Sequence, residues 1–355
     1  MTGRDANANE NGDDGRRAGR RSKVLKTAGL ILAGALVLGV GTAGWAYWHL
    51  NDNIKSVDIN SALGDNRPQR AMTTPAPSTS SSASPLPTGS LNILVLGSDS
   101  RSGEENQELG GGSSTGARSD TAMVVHIDAG RTEATVVSIP RDTLVTRPSC
   151  PLSSGGSTEE AYRTMFNSAY AIGGPVCAVK TVESLSDVRM DHYIEIDFSG
   201  FAKLVDALGG VTVTTDDDID DEDSHLRLEA GTHHLDGEQA LALARTRHGI
   251  GDGSDLGRIG LQQKLVKALL DQISTAGLLT DPAQLYRVAD AVTGSLTTDT
   301  GLDSLSELMS LGQSLSGLSS DAVRTVTMPV VPAASDPNRV VAEEPEAGEL
   351  WESLR

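Results

Sequence analysis

Residues 245–263 read Arg-Thr-Arg-His-Gly-Ile-Gly-Asp-Gly-Ser-Asp-Leu-Gly-Arg-Ile-Gly-Leu-Gln-Gln. Arg245 and Arg247 are two apart, so in an extended segment they project to one side. Asp255, Arg258 and Gln262 are spaced i, i+3 and i+7, one face of a helix. Three arginines, a carboxylate and an amide can therefore meet beside a glycine-rich turn. The planar guanidinium fork matches phosphate oxygens. A solvated salt-bridge patch has no need of Gly249, Gly251, Gly253, Gly257 and Gly260. The stretch reads as a phosphate or pyrophosphate clamp.

Three further charged clusters sit at the ends of apolar runs. Leu91–Leu96 is a short buried strand that delivers Ser98-Asp99-Ser100-Arg101. Arg118-Ser119-Asp120-Thr121 precedes a strand over 122–127, and a strand over 134–139 ends at Pro140-Arg141-Asp142. Open α/β sheets gather ligands at such strand ends. Asp99 and Asp120 offer hard carboxylate oxygens, with Arg101, Arg118 and Arg141 close in sequence. Mg²⁺, or Mn²⁺ in its place, prefers such donors when a diphosphate completes its shell. Acids and arginines around a diphosphate describe phosphoryl transfer, in which the protein positions groups and neutralises charge.

The elements that must hold these residues alternate. Ser157-Thr-Glu-Glu160 is a capping box, predicting a helix to about residue 171, and Pro175 suits the first position of the next helix. A strand is expected over 192–196, a helix over 199–208 closed by Gly209-Gly210, and a strand over 211–214. A short helix over 238–244 runs into Arg245, and a longer one opens near Asp255. Further helices over 282–292 and 302–315 and a strand over 323–328 complete the pattern. The expected fold is a three-layer α/β/α sandwich on a mixed central sheet, preceded by a single transmembrane helix.

The 355-residue chain carries a net charge of −19, which excludes nucleic acid as a partner for its bulk. Residues 1–26 depart from that balance, with seven Arg and Lys against four acids. Residues 27–48 then hold no charge over 22 positions, enough to cross a hydrocarbon core of roughly 30 Å. The preceding basic residues put the N-terminus in the cytoplasm, and Trp45, Tyr47 and Trp48 form an aromatic belt at the far side. The apolar run is longer than a signal-peptide core, so it reads as a single-pass anchor in the cell membrane. The resulting organisation is a cytoplasmic head (1–26), a membrane span (27–48), a Ser/Thr/Pro-rich linker (49–90), an extracellular catalytic domain (91–330) and a flexible tail (331–355).

Export makes the two cysteines interpretable. Cys150 and Cys177 are the only pair, and a disulfide between them is worth roughly 3–4 kcal/mol in chain entropy. Several motifs are decoys. Gly39–Gly44 matches a dinucleotide fingerprint inside the membrane span, and Gly112–Gly116 matches a serine-hydrolase elbow inside a loop. Asp216–Asp223 lacks the glycine and glutamate of a calcium loop and reads as a solvated acidic loop. His233-His234 reads as a turn, and His248 as structural.

Six segments carry a resemblance: Asn92–Arg101, Arg118–Thr121, Ser138–Asp142, Leu235–Ala240, Arg245–Arg247 and Asp255–Arg258. In order, they resemble the LytR-CpsA-Psr family of cell-wall assembly proteins, over about residues 91–275. The family implies a membrane-anchored phosphotransferase that moves a glycopolymer from a polyprenyl-pyrophosphate carrier to peptidoglycan, normally the C6 hydroxyl of N-acetylmuramic acid. It implies Mg²⁺ binding by Asp99 and Asp120. It also implies diphosphate contacts from Arg118, Arg141, Arg245, Arg247, Arg258 and Gln262, a basic residue at Arg101, and Asp255 as the candidate general base. A hydrolase of the same lipid-linked donor, or a non-catalytic glycopolymer-binding regulator, would use the same clamp. The polyprenyl chain would need an apolar tunnel, supplied mainly by the helices.

Overall fold

The computed structural model describes residues 41–70, 89–98, 119–152, 154–247, 255–276 and 281–355. The chain divides into two units, Met1–Asp52 and Asn53–Arg355. In the first, residues 41–52 are helical, with Trp45, Tyr47 and Trp48 exposed. Most of the expected membrane span lies outside the described residues, and among those described no helix is long and apolar enough to cross a membrane.

The second unit opens with β1 (Lys55–Val57) and α1 (Ile59–Leu63). β2 (Leu91–Ser98), β3 (Ser119–Ile127) and β4 (Ala134–Ser138) follow, then the hairpin β5 (Leu144–Arg147) and β6 (Ala161–Met165). α2 (Asn167–Ser186), β7 (His192–Asp197) and α3 (Phe198–Ala207) lead into four short strands: β8 (Val211–Thr215), β9 (Ile219–Asp221), β10 (Leu226–Leu228) and β11 (Gly231–Leu235). α4 (Gly237–Arg245), α5 (Asp255–Thr275), α6 (Pro282–Ser295), β12 (Leu296–Asp299) and α7 (Leu305–Ser314) come next. β13 (Val323–Thr327), β14 (Val330–Ala333), β15 (Asp336–Ala342) and α8 (Glu346–Glu352) close the chain.

Seven strands form one sheet in the order β1-β12-β7-β2-β3-β4-β13. β2 runs antiparallel to β3 and parallel to β7, and β4 runs antiparallel to β3 and parallel to β13, so the sheet is mixed. Alternation along β2 splits its apolar residues between two faces. Leu94 and Leu96 pack with Val179 and Val182 of α2 and Trp351 of α8, whereas Leu91 and Ile93 pack with Leu311 of α7 and with Leu302 just before it. Helices therefore cover both faces, and neither can be solvated. A separate core joins α3, α4 and α5 to the small strands through Val205, Val213, Leu243 and Leu265.

Three expectations are corrected. The helix expected over 157–171 is instead strand β6, with α2 starting only at Asn167. The expected cap is taken up by other contacts: Ser157 forms a β-bridge with Pro151, and Thr158 Oγ1 accepts from Cys150 N at 3.0 Å and from the Arg147 guanidinium at 2.5 Å. Within α2, Gly174 at φ 63° breaks the helix and Pro175 restarts it. The 49–90 segment is not all linker either. β1 pairs with β12, and Arg67 grips Glu183 through Nε and one terminal nitrogen at 3.0 and 2.6 Å with both side chains buried. Finally, the tail expected to be flexible over 331–355 is the β14–β15 hairpin and α8. Ala347, Trp351 and Leu354 sit at i, i+4 and i+7, so an acidic segment still buries one helical face.

Candidate active site

Four elements bring charged residues to one end of the sheet. β3 starts at Ser119 and presents Asp120; Arg141 follows β4 through a turn closed by Thr143 N donating to Pro140 O at 3.0 Å. α4 is fixed at its start by a full capping box between Asp236 and Gln239, and ends on Arg245. α5 opens with Asp255 in its first turn, where a carboxylate suits the helix dipole.

Their side chains form one network. The Arg141 guanidinium donates to Asp120 Oδ1 at 2.7 Å, and its Nε lies 3.5 Å from Asp255 Oδ1. Arg258 pairs with the same Asp255 oxygen and donates to the backbone carbonyl of Asp120 at 3.0 Å. Gln262 Nε2 donates to Thr121 Oγ1 and to Ala244 O, both at 2.9 Å, lacing α5 to β3 and to the last turn of α4. Arg258 is 3% exposed. Burial lowers its pKa first; Arg141 and Arg247 push the same way, against Asp255 and Asp120. Arg258 thus lies within reach of the charge of two further guanidinium groups as well as of Asp255 and Asp120. Arg245 stacks over the Phe198 ring with its guanidinium carbon 4.9 Å from the centroid. No sequence motif marks Phe198, and Asp221, which accepts from Arg247 N at 2.7 Å, lies in the acidic run read from sequence as a solvated loop.

Beside this network lies a cavity of about 450 Å³ between α3, α4, α5 and the sheet. Met123, Ile196, Phe201, Leu204, Leu265 and Leu269 give it an apolar interior, while Asp120, Arg245, Arg247, Arg258 and Gln262 line it with charge and amide. Arg141 and Asp255 do not line it; they act on it through Asp120 and Arg258. A lipid tail and a charged head would each meet a matching surface.

Asp99, Arg101, Arg118 and His248 lie outside the described residues, as does the 112–116 decoy. Asp120, Arg141, Arg245, Arg247, Asp255, Arg258 and Gln262 are brought together as expected. Cys150 and Cys177 are disulfide-bonded, with Cα atoms 5.2 Å apart. His233 and His234 are on strand β11 rather than in a turn, because they pair with Val213 and Thr212 of β8. The acidic run expected as a solvated loop is in part strand β9, and within it Ile219 and Asp221 are buried. Among the described residues no group of three or more His, Cys, Asp or Glu could hold a metal.

A model of the LytR_cpsA_psr family matches residues 46–355. The chain belongs to the LytR-CpsA-Psr family. Within this family it is 32% identical to the probable cell wall biosynthesis protein LcpB of Corynebacterium glutamicum, over 97% of this chain and 75% of that protein. It is also 32% identical to the polyisoprenyl-teichoic acid–peptidoglycan teichoic acid transferase TagV of Bacillus subtilis, over 66% of this chain and 57% of that protein. The chain thus spans little more than half of some relatives it matches. The LytR-CpsA-Psr fold recurs in the crystal structure of B. subtilis TagV, with a TM-score of 0.58, 26% identity, and coverage of 76% of this chain and 97% of that one. A structure of TagT bound to LI-WTA has a TM-score of 0.52 and 26% identity, covering 75% of this chain and 89% of that one.

Proposed function

We propose that this protein is a membrane-anchored phosphotransferase. It moves a glycopolymer from a polyprenyl-pyrophosphate carrier onto a peptidoglycan hydroxyl, the C6 hydroxyl of N-acetylmuramic acid, outside the cell membrane. The observation that carries this reading is the junction of Arg245, Arg247 and Arg258 with an apolar cavity. A hydrolase of small phosphates needs the arginines but no lipid-sized groove. The naming of TagV as a teichoic acid transferase supports the same chemistry.

In this reading the prenyl chain enters the cavity and its diphosphate meets the arginines. The acceptor hydroxyl attacks the sugar-linked phosphorus, the bond to the bridging oxygen breaks, and polyprenyl phosphate leaves. Arg245, Arg247 and Arg258 neutralise charge that builds on the phosphoryl oxygens and the leaving group. Arg141 and Asp255 hold Asp120 and Arg258 in place. Asp255 is engaged by two guanidinium groups, so to serve as the base it must first loosen from Arg258. Asp120, about a quarter exposed, has hard oxygens that fit Mg²⁺ completed by diphosphate oxygens, and Asp99 would be the second ligand. A bound metal would supply further charge neutralisation at the diphosphate. The uncharged stretch 27–48 is the anchor, with the head in the cytoplasm.

The test incubates purified protein with a lipid-pyrophosphate-linked oligosaccharide, Mg²⁺ and peptidoglycan fragments, followed by mass analysis. Oligosaccharide phosphate attached to the glycan is expected, and is lost in Arg247→Ala. Released sugar phosphate without attachment would make the protein a hydrolase. Attachment undiminished in Arg247→Ala would remove the arginine site from the chemistry.

A further inference from the structure

Within the acidic run Asp216–Asp223, Asp221 alone among the acids is buried, at 1% exposure; Asp220 and Glu222 on either side are exposed. Its carboxylate is engaged by backbone N–H groups from two segments. Oδ1 accepts from Asp223 N at 2.9 Å and Ser224 N at 3.3 Å; Oδ2 accepts from Arg247 N at 2.7 Å. A second tether runs alongside. Ser224 Oγ lies 2.9 Å from Thr246 Oγ1, and Thr246 Oγ1 is 2.9 Å from Ala242 O inside α4. The turn between β9 and β10 therefore grips the bend by which the chain leaves α4 and reaches Arg247. That bend needs a grip: Thr246 leaves the helix at ψ 133°, and the next residue is Arg247 rather than the glycine of a standard C-terminal cap.

A buried carboxylate in the wall of an anion-binding cavity opposes the ligand's charge, and three backbone N–H groups among its partners tie it to the chain around Arg247. We infer that Asp221 is a positioning residue for the donor diphosphate: by holding the backbone of Arg247 it presents that guanidinium to the ligand. This rests on the phosphotransferase reading and deepens it. Asparagine cannot substitute. With one oxygen and one NH2 group, it must set a donor against either Arg247 N–H or the two turn N–H groups.

The experiment measures binding of geranyl pyrophosphate by calorimetry to the detergent-solubilised full chain. Wild type, Asp221→Asn, Arg247→Ala and the double variant form a cycle. Asp221→Asn is expected to weaken binding about tenfold, in line with loss of a charge-assisted hydrogen bond. Arg247→Ala weakens it further, and the double variant matches Arg247→Ala alone within about twofold, because a residue acting only through Arg247 has nothing left to act on. In turnover, Asp221→Asn raises the donor KM and leaves the acceptor KM unchanged, a split that general loosening of the fold would not give. Ser224→Ala, which cuts only the second tether, gives a smaller loss that likewise vanishes in the Arg247→Ala background, and it serves if Asp221→Asn misfolds. Multiplying losses in the double variant, or unweakened binding in Asp221→Asn, overturns the inference alone. Absence of binding by wild type overturns the diphosphate reading itself.

Discussion

Arg141 and Asp255 are separated by more than a hundred residues, yet Arg141 meets Asp255 twice. Its backbone N–H donates to Asp255 Oδ2 at 3.3 Å, and its Nε lies 3.5 Å from Oδ1. Because Arg258 takes the same carboxylate, Asp255 fixes two guanidinium groups, one from the turn after β4 and one from α5. Asp255→Asn keeps the shape and removes the charge. Arg258, 3% exposed, is then a buried cation without its partner, a loss of about 3 kcal/mol. Transfer is expected to fall at least about 100-fold, the scale of losing one preorganised charge contact. Asp142→Asn is the control: its contacts with Arg141 and Arg339 are 3.9 and 3.6 Å, and its effect should stay within about 1 kcal/mol. Urea unfolding and turnover check both, and equal losses in the two variants would refute the hub role of Asp255.

Periodicity and residue type made the site legible. The i, i+3, i+7 spacing of Asp255, Arg258 and Gln262 places them on one helix face, and α5 turns Arg258 and Gln262 toward β3 and α4 and Asp255 toward Arg141. The strand ends were legible because continuous apolar runs stop at charged residues. What sequence concealed depends on non-local bonds. Thr158 looks like part of a cap until Arg147 and Cys150 claim its hydroxyl. Arg67 looks like linker until Glu183 meets it. Asp221 is indistinguishable from its acidic neighbours by composition, and only the arrival of Arg247 makes it a buried acceptor. The cavity is likewise assembled from α3, α4, α5, three strands of the large sheet and the β9–β10 hairpin, and no local signal contains it.

Leu204 lines the cavity from α3. Leu204→Trp adds bulk to an apolar interior without touching the arginines. The KM for a long-chain prenyl donor is expected to rise about tenfold, the scale on which a hydrophobic pocket discriminates size. A donor with a two-isoprene tail should be processed as by wild type. Steady-state kinetics with the two donors check this, and an equal rise for both would show that the tail does not occupy the cavity.

Trp351, 2% exposed, packs α8 into the core shared with Val179, Val182 and Tyr193. Trp351→Ala is expected to cost about 3–5 kcal/mol in transfer and cavity terms. Its Nε1 has no hydrogen-bond partner among the described residues, so Trp351→Phe forfeits no polar contact and should cost under about 1.5 kcal/mol. Denaturant midpoints of the two variants separate packing from polarity. A negligible loss in Trp351→Ala would return residues 331–355 to the status of a dispensable tail.

His126 gives the fold a titratable weak point away from the arginines. Its Nδ1 lies 2.7 Å from Asn92 Oδ1, and burial lowers its pKa below the usual 6.5, with Arg131 adding to the effect and Asp128 and Asp191 opposing it. Below 6.5 the unfolded chain takes up this proton before the folded one does. Stability therefore rises with pH through that window: the contribution is complete above 6.5 and is lost as pH falls toward the folded-state pKa. Replacing His126 by Gln keeps a hydrogen-bonding amide near Asn92 and removes the titration. Melting temperatures measured from pH 7.5 down to about 5 should fall more steeply for wild type than for His126→Gln, the difference opening only below 6.5. Carboxylates common to both proteins cancel in that difference. Parallel curves would mean that His126 titrates alike in the folded and unfolded chains.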